Sequence, residues 1–248
     1  MKLLALLSSM PFESDKILAC LKNVQKTGIA GKTAYRGKLY SRNVLLVNTG
    51  MGKVNASLTA TAVIERFNIG GMINFGIGGA YPDSKLAIGE IAVATKEICD
   101  DGVITATGWA GIKETGIPLA QIGKTKYFNE FPVDKKLLRN ALKALKDPCS
   151  TSEVEQGSCR IKSGAFLTVS AVSGTNKRAM ELKKRFNAVC ENMEGAAVAH
   201  VCAIYEIPMI EIRGISNIAG VRDKRKWDIG LASENCQEAI LTITRSLR

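Results

Sequence analysis

One run constrains this chain more than any other. From Ala196 to Ile204 the residues are apolar on nearly every side, broken only by His200, and Glu194 stands at the head of the run. A helix that is apolar all round must be buried between other elements, so Glu194 is an acid carried into the interior. A buried carboxylate costs several kcal/mol unless donors or cations satisfy it. After Pro208 the segment Met209–Arg213 reads as a strand and runs into Gly214, Ile215, Ser216 and Asn217. In an open α/β sheet, ligands gather at the carboxyl ends of strands. The pattern alone leaves two readings open. Glu194 and Asn217 face one polar ligand, or Glu194 answers its own helix dipole and Asn217 makes a turn.

The rest of the chain alternates in the same way. Residues 2–7 read as a buried strand, and Glu13 follows at its carboxyl end, just before helical spacing at Ile17, Leu18 and Leu21. Residues 33–40 and 43–48 alternate like a hairpin around Ser41 and Arg42. Asn48–Lys53, with Gly50 and Gly52, leads into a long apolar-periodic helix to about Phe67. This loop is not a P-loop, because Val47 stands where that motif needs its first glycine, and Asn55 replaces the third glycine of a dinucleotide fingerprint. Its glycines still let backbone approach a ligand closely.

A strand at 71–75 is expected to end in the loop Gly76–Ala80, which includes Gly78, and another strand at 89–95 leads to an irregular excursion over 96–122. A helix is expected over 134–146, a polar turn over 149–158, and a strand pair over 160–168 carrying Phe166 and Leu167. A helical face over 172–185 and an amphipathic helix over 232–247 complete the pattern. This alternation predicts one α/β domain over 1–248, with three layers, α/β/α, around a central mixed, mainly parallel sheet.

Composition removes several function classes. No apolar run approaches the roughly 20 residues of a membrane span, and MKLLALLSSM lacks the cleavage site of a signal peptide. Seven scattered cysteines without a CxxC pair, and a single histidine, leave no zinc-ligand spacing; free thiols in a cytoplasmic protein are expected, with no metal and no cofactor. His200, inside the apolar helix, reads as a structural histidine. The net charge of +11 is dispersed and lacks interleaved aromatics, so a solvated lysine-rich surface is expected, and no nucleic acid. Gathered at the strand ends are Glu13, the Gly50/Gly52 and Gly76–Gly79 loops, Phe166, Met193, Glu194, Ser216 and Asn217. Two carboxylates, an amide, a ring and bare backbone suit a nucleoside. With no arginine among them, they do not suit free phosphate.

These residues carry a resemblance. NTGMGKVNA, NFGIGGA, SGAFL, ENMEGAAVAH and RGISN, in this order and spacing, resemble the purine nucleoside phosphorylase and nucleosidase family across nearly the whole chain. The resemblance implies a nucleoside phosphorylase-like fold and a homo-oligomer, a dimer or larger, acting on a small nucleoside. It implies that Glu13 polarises an attacking water and that Met193 and Glu194 bind the ribose. It further implies that Phe166 stacks on the base, that the Leu167 backbone pairs with the base edge, and that Gly78 and Ser216 line the site.

Two departures from the family pattern discriminate among its activities. Asn74 and Ile77 stand where the phosphorylases hold phosphate with an arginine and a serine, so hydrolysis is expected over phosphorolysis. Asn217 stands where adenine-specific nucleosidases carry an aspartic acid that protonates the purine. An amide donates to N7 yet tolerates a 6-oxo group, where a carboxylate would repel it. The expected substrate is therefore a 6-oxopurine nucleoside. Arg222, with Arg225 and Lys226 nearby, is the candidate by position for an anionic group at the far end of the substrate, and Trp227 is expected to be core.

Overall fold

The structure is a computed structural model, and it describes residues 2–146 and 160–247. The polar turn expected over 149–158, with Cys149, and Cys159 beyond it, lie outside the described residues.

The chain opens with β1 (Leu3–Ser8), whose six residues are all buried, as a central strand of a sheet covered on both faces requires. A 3-10 turn at Pro11–Glu13 and the short α1 (Asp15–Cys20) follow. The strands β2 (Lys22–Ile29), β3 (Lys32–Leu39) and β4 (Arg42–Asn48) form an antiparallel meander. Of these, β2 escaped the sequence reading because it is an outer strand with nearly all residues exposed, and it shows no apolar alternation. Then come α2 (Lys53–Arg66), β5 (Ile69–Ala80) and β6 (Ile91–Cys99). The irregular excursion expected over 96–122 begins only after β6 ends at Cys99; it holds the hairpin β7 (Gly102–Thr105) with β8 (Gly108–Gly111) and runs on into a second, β9 (Ala120–Ile122) with β10 (Thr125–Tyr127). The remainder is β11 (Glu130–Pro132), α3 (Lys135–Lys146), β12 (Ile161–Thr168), α4 (Asn176–Phe186), β13 (Cys190–Asn192), α5 (Gly195–Ile204), β14 (Met209–Ile218) and α6 (Ile229–Ser246).

The large sheet runs β11-β6-β12-β13-β5-β1-β4-β3-β2, and β14 pairs with both β5 and β6. That double pairing closes β5, β14, β6, β12 and β13 into a ring, from which β1, β4, β3 and β2 extend as an open sheet. The sheet is mixed: β5 lies parallel to β1 and to β14, antiparallel to β13, while β14 lies antiparallel to β6. The main apolar core takes residues from Leu3 to Leu247, and α5, apolar all round as read from the sequence, is largely buried within it.

One difference from the sequence reading positions the site. The glycines expected to form a loop after β5 continue it as strand, because β14 and β13 supply partners as far as Ala80. β1 stays beside β5 only as far as the pair Leu7↔Asn74, whereas β13 joins it at Gly79 and Ala80. Where one neighbour has left and the next has not arrived, the sheet splits and groups from several strands meet. Gly76 sits in this gap with φ +154, where a Cβ would collide with the Glu13 carboxylate.

Candidate active site

Glu13 is 1% exposed, and both of its oxygens are engaged. Oε2 accepts from the Ser9 N–H (2.9 Å), the Ser9 hydroxyl (2.7 Å) and the Met10 N–H (2.8 Å), and Oε1 accepts from the Ile77 N–H (2.8 Å). The 3-10 turn at Pro11–Glu13 brings the acid back over the end of β1. Four donors hold one carboxylate in a single orientation at the gap in the sheet.

Glu194, 4% exposed, is the N-cap residue of α5, but its side chain makes no capping bond. It turns instead toward two distant groups: Oε1 accepts from the Gly52 N–H (2.9 Å) and Oε2 from Arg213 Nη2 (3.1 Å). Gly52, at φ +94, is in a conformation open to glycine, and it aims its N–H at the acid as α2 begins. The Glu194 side chain therefore does not cap its own helix.

Arg213 corrects the sequence reading, which placed no arginine at the strand ends. It is 2% exposed, and its three nitrogens reach three partners. Nε donates to Glu211 Oε1 (2.7 Å), Nη1 to the Ile77 carbonyl (3.0 Å) and Nη2 to Glu194. Burial works against this cation, but Glu211, Glu194 and Glu13 hold its pKa well above the ordinary value. The missed signal was an acid and an arginine two residues apart, Glu211 and Arg213, on one face of the buried first half of β14. Asn74, expected only as a departure from a phosphate site, is buried and donates to Glu211 Oε2 (3.0 Å).

The base-side candidates assemble around the end of β14. The Ser216 hydroxyl lies 3.2 Å from the Gly78 carbonyl and 2.8 Å from Asn217 Oδ1. Asn217 Nδ2 donates to the Ile218 carbonyl (3.1 Å), which leaves its second hydrogen directed elsewhere. Gly78 has no room for a side chain, since a Cβ would come to 2.6 Å of Cys190 Sγ. Met193 is partly exposed beside Glu194. Phe166 and Leu167 are both fully buried, and the Phe166 ring belongs to the main core, so it offers no open stacking face in this structure.

Other candidates are not brought in. Arg222 is exposed and lies over the Trp227 ring, 5.1 Å from its centroid, while Arg225 pairs with Asp223 (2.9 Å). Trp227, expected to be core, is only partly buried; its ring N–H donates to the Val221 carbonyl (2.8 Å). His200, expected to be a buried structural histidine, is only partly buried: it stacks on Phe131 with centroids 4.6 Å apart, and burial lowers its pKa against the opposing pulls of the Leu119 backbone and Asp101. Cys99, Asp100 and Asp101 bring ligand atoms together, but Lys53 Nζ occupies that cluster at 2.9 Å from Asp100 and 2.7 Å from Asp101. That ion pair ties the glycine loop before α2 to the end of β6.

Behind Glu194, Glu191 supports the turn. It accepts from the Tyr81 hydroxyl (3.0 Å), the Ser173 N–H (2.9 Å) and the Ser173 hydroxyl (2.5 Å). Asn192 Oδ1 accepts from the N–H groups of Glu194 (3.1 Å) and Gly195 (2.9 Å), satisfying donors at the start of α5.

Comparison with known proteins gives the same frame. Residues 3–248 match the family model described as the phosphorylase superfamily. The chain is 33% identical over 215 residues to a futalosine hydrolase of Thermus thermophilus, covering 87% of this chain and 84% of the relative. It is 30% identical over 248 residues to a 5′-methylthioadenosine/S-adenosylhomocysteine nucleosidase of Psychromonas ingrahamii, covering 98% and 99%. Among solved structures, a futalosine hydrolase mutant of Helicobacter pylori superposes with a TM-score of 0.83 at 20% identity over the full length of both chains. A fold built around a split in a mixed sheet, a match over nearly every residue and relatives at this identity agree on one conclusion: the chain belongs to the phosphorylase superfamily.

Proposed function

We propose that this chain is a nucleosidase that hydrolyses the N-glycosidic bond of futalosine, releasing hypoxanthine and dehypoxanthine futalosine in the futalosine route of menaquinone biosynthesis. The observation that carries hydrolysis is the surplus of acid around Arg213, the one buried cation among the described residues. Arg213 is flanked by Glu194 and Glu211 and feels Glu13, and all three of its nitrogens are already engaged. A phosphate dianion would enter a site with more carboxylate than cation, where the guanidinium is already flanked by two acids. A neutral water meets no such repulsion. The sequence supports hydrolysis through Asn74 and Ile77, which stand where the phosphorylases carry an arginine and a serine. Arg213 comes from another strand, and the acids that engage it support the same expectation.

In this reading the bond from C1′ to N9 stretches to an oxocarbenium-like sugar. Each Glu194 oxygen accepts one hydrogen bond, and a carboxylate has about four lone-pair sites, so the remainder accept from the ribose hydroxyls. Glu13 orients the water and takes its proton as the oxygen bonds C1′. The base departs with the bonding electrons, and the free Asn217 N–H stabilises the charge at N7.

The nearest alternative is a methylthioadenosine/S-adenosylhomocysteine nucleosidase, favoured by the relative that covers 98% of the chain. Asn217 argues against it, because an amide cannot deliver a proton to adenine. A non-catalytic nucleoside-binding protein is the reading from another class, and the presence of both Glu13 and Glu194 speaks against it. The test is base release from futalosine, inosine, methylthioadenosine and aminofutalosine, each with and without phosphate. Phosphate-independent hypoxanthine release from futalosine alone is expected. Adenine release would remove the Asn217 argument, and strict phosphate dependence would make the chain a phosphorylase.

We also infer a single domain over 1–248, supported by a core that joins Leu3 to Leu247, and a homo-oligomer. The exposed row Met51, Val54 and Leu58 at the start of α2 supports the second inference, and light scattering on the purified chain checks it.

A further inference from the structure

Beneath the candidate site lies an acid that the proposed mechanism does not use. Glu97, on β6, is fully buried, and neither of its oxygens finds a donor among the described residues in geometry that makes a hydrogen bond. An isolated carboxylate in such a place carries a heavy desolvation cost. Its neighbour is another fully buried acid, Glu211 on β14. Both lie over the same backbone atom: a Cβ on Gly195 would overlap Glu211 Oε2 and come within 2.5 Å of Glu97 Oε2. Two carboxylates this close cannot both be ionised cheaply.

The partners divide unequally. Glu211 accepts from Arg213 Nε (2.7 Å) and from Asn74 Nδ2 (3.0 Å), the pattern of an anion. Glu97 has no such donors, and the amide Nδ2 of Asn192, the nearest neutral group to favour its charge, is itself without a complete hydrogen bond. Facing Glu97 are Glu211 and Arg213 from β14, with Asn192 and the Cys190 thiol from β13.

We propose that Glu97 is a protonated carboxylic acid at neutral pH, donates its proton to Glu211 across Gly195, and so acts as a positioning residue for Arg213. The shared proton removes one negative charge from the cluster and supplies the hydrogen bond that both acids lack with each other. Glu211 remains the anion that fixes the guanidinium. The fork then points one nitrogen at Glu194 and one at the Ile77 carbonyl, whose own N–H holds Glu13. Burial foremost, and the Glu211 charge next, push the Glu97 pKa well above the carboxylate range, in agreement with this assignment. The link to catalysis rests on the nucleosidase reading; the protonation state does not.

The test separates the two. Infrared spectra of the substrate-free protein in D2O should contain the carbonyl stretch of a protonated carboxylic acid at neutral pH, and Glu97→Gln should remove it. Glu97→Gln replaces a neutral donor by a neutral donor and should leave kcat close to wild type. Glu211→Gln discharges the group that holds Arg213 and should lower kcat by about 10- to 100-fold, the scale of a misplaced active-site group. The folding stabilities should diverge with pH as well. The native state holds the Glu97 proton longer than the unfolded chain does. Wild type should therefore lose stability relative to Glu97→Gln as pH rises above the ordinary value of 4.5. A band that persists in Glu97→Gln, or no band at all, overturns the shared proton. Wild-type kcat in Glu211→Gln overturns the positioning role. If the band behaves as expected but no nucleoside is hydrolysed, the functional reading falls and the acid pair stands.

Discussion

Glu13 shows how much one residue's role depends on what surrounds it. Read from the chain, it is an acid after a strand. In the fold, one oxygen is filled by Ser9 and Met10, while the other is held by Ile77 beside Arg213. Glu13→Gln would replace one acceptor oxygen by an NH2 group facing donors. Turnover should fall by about 10²–10⁴-fold, as for a lost general base. The facing donors left unpaired should also cost about 1–3 kcal/mol of stability. Steady-state kinetics and urea denaturation read the two effects separately, and wild-type turnover would remove Glu13 from the mechanism. At this scale the sequence named Glu13, Glu194 and Asn217. For Arg213 it offered only the spacing to Glu211, because the other groups that engage it, Glu194 and the Ile77 carbonyl, come from distant parts of the chain.

β14 matters most among the elements, since it pairs with β5 on one side and β6 on the other and delivers Glu211, Arg213, Ser216 and Asn217 from one strand. Its seat against α6 is set by Gly214, where a Cβ would overlap the backbone carbonyl of Ala232. Backbone cannot move aside as a side chain can. Gly214→Ala should therefore push α6 off the strand, destabilise the protein by about 3 kcal/mol, and disturb Ser216 and Asn217. A lowered urea midpoint with an unchanged slope would show this, whereas an unchanged midpoint would mean that the helix shifts freely. The element boundaries also show where periodicity stops being informative. β1, α2, α3 and α6 were legible from apolar spacing. β2 was not, because an exposed outer strand has no buried face to alternate. The glycines of β5 were read as a loop, because glycine's turn preference is overridden only when strands from elsewhere complete its hydrogen bonds.

For the whole molecule, the single histidine makes one pH dependence easy to assign. His200 is half-buried against the Phe131 ring, and that burial lowers its pKa. The unfolded chain then binds a proton more readily than the native state does. The stability contributed by the neutral ring is fully present above about 6.5, the ordinary histidine value, and is lost as pH falls through the lowered native value. A His200→Gln variant should lack this acid-side loss, with unfolding followed by denaturant at a series of pH values. Equal slopes in both proteins would mean that the ring is not held neutral. The buried cation of the site, Arg213, is matched by the buried acids Glu194 and Glu211.

By itself the sequence determined the α/β alternation and the burial of α5 with an acid at its head. Each of these is written in residue type and spacing, which are local quantities. The tertiary structure alone decided that β14 closes a ring, that Gly76 sits where β5 passes from β1 to β13, and that Glu97, Glu211, Glu194 and Glu13 gather around Arg213. The physical reason is that the worth of a buried charge is set by its partners, and these partners come from residues 13, 97, 194, 211 and 213. Only the closure of the sheet puts them within reach of one another.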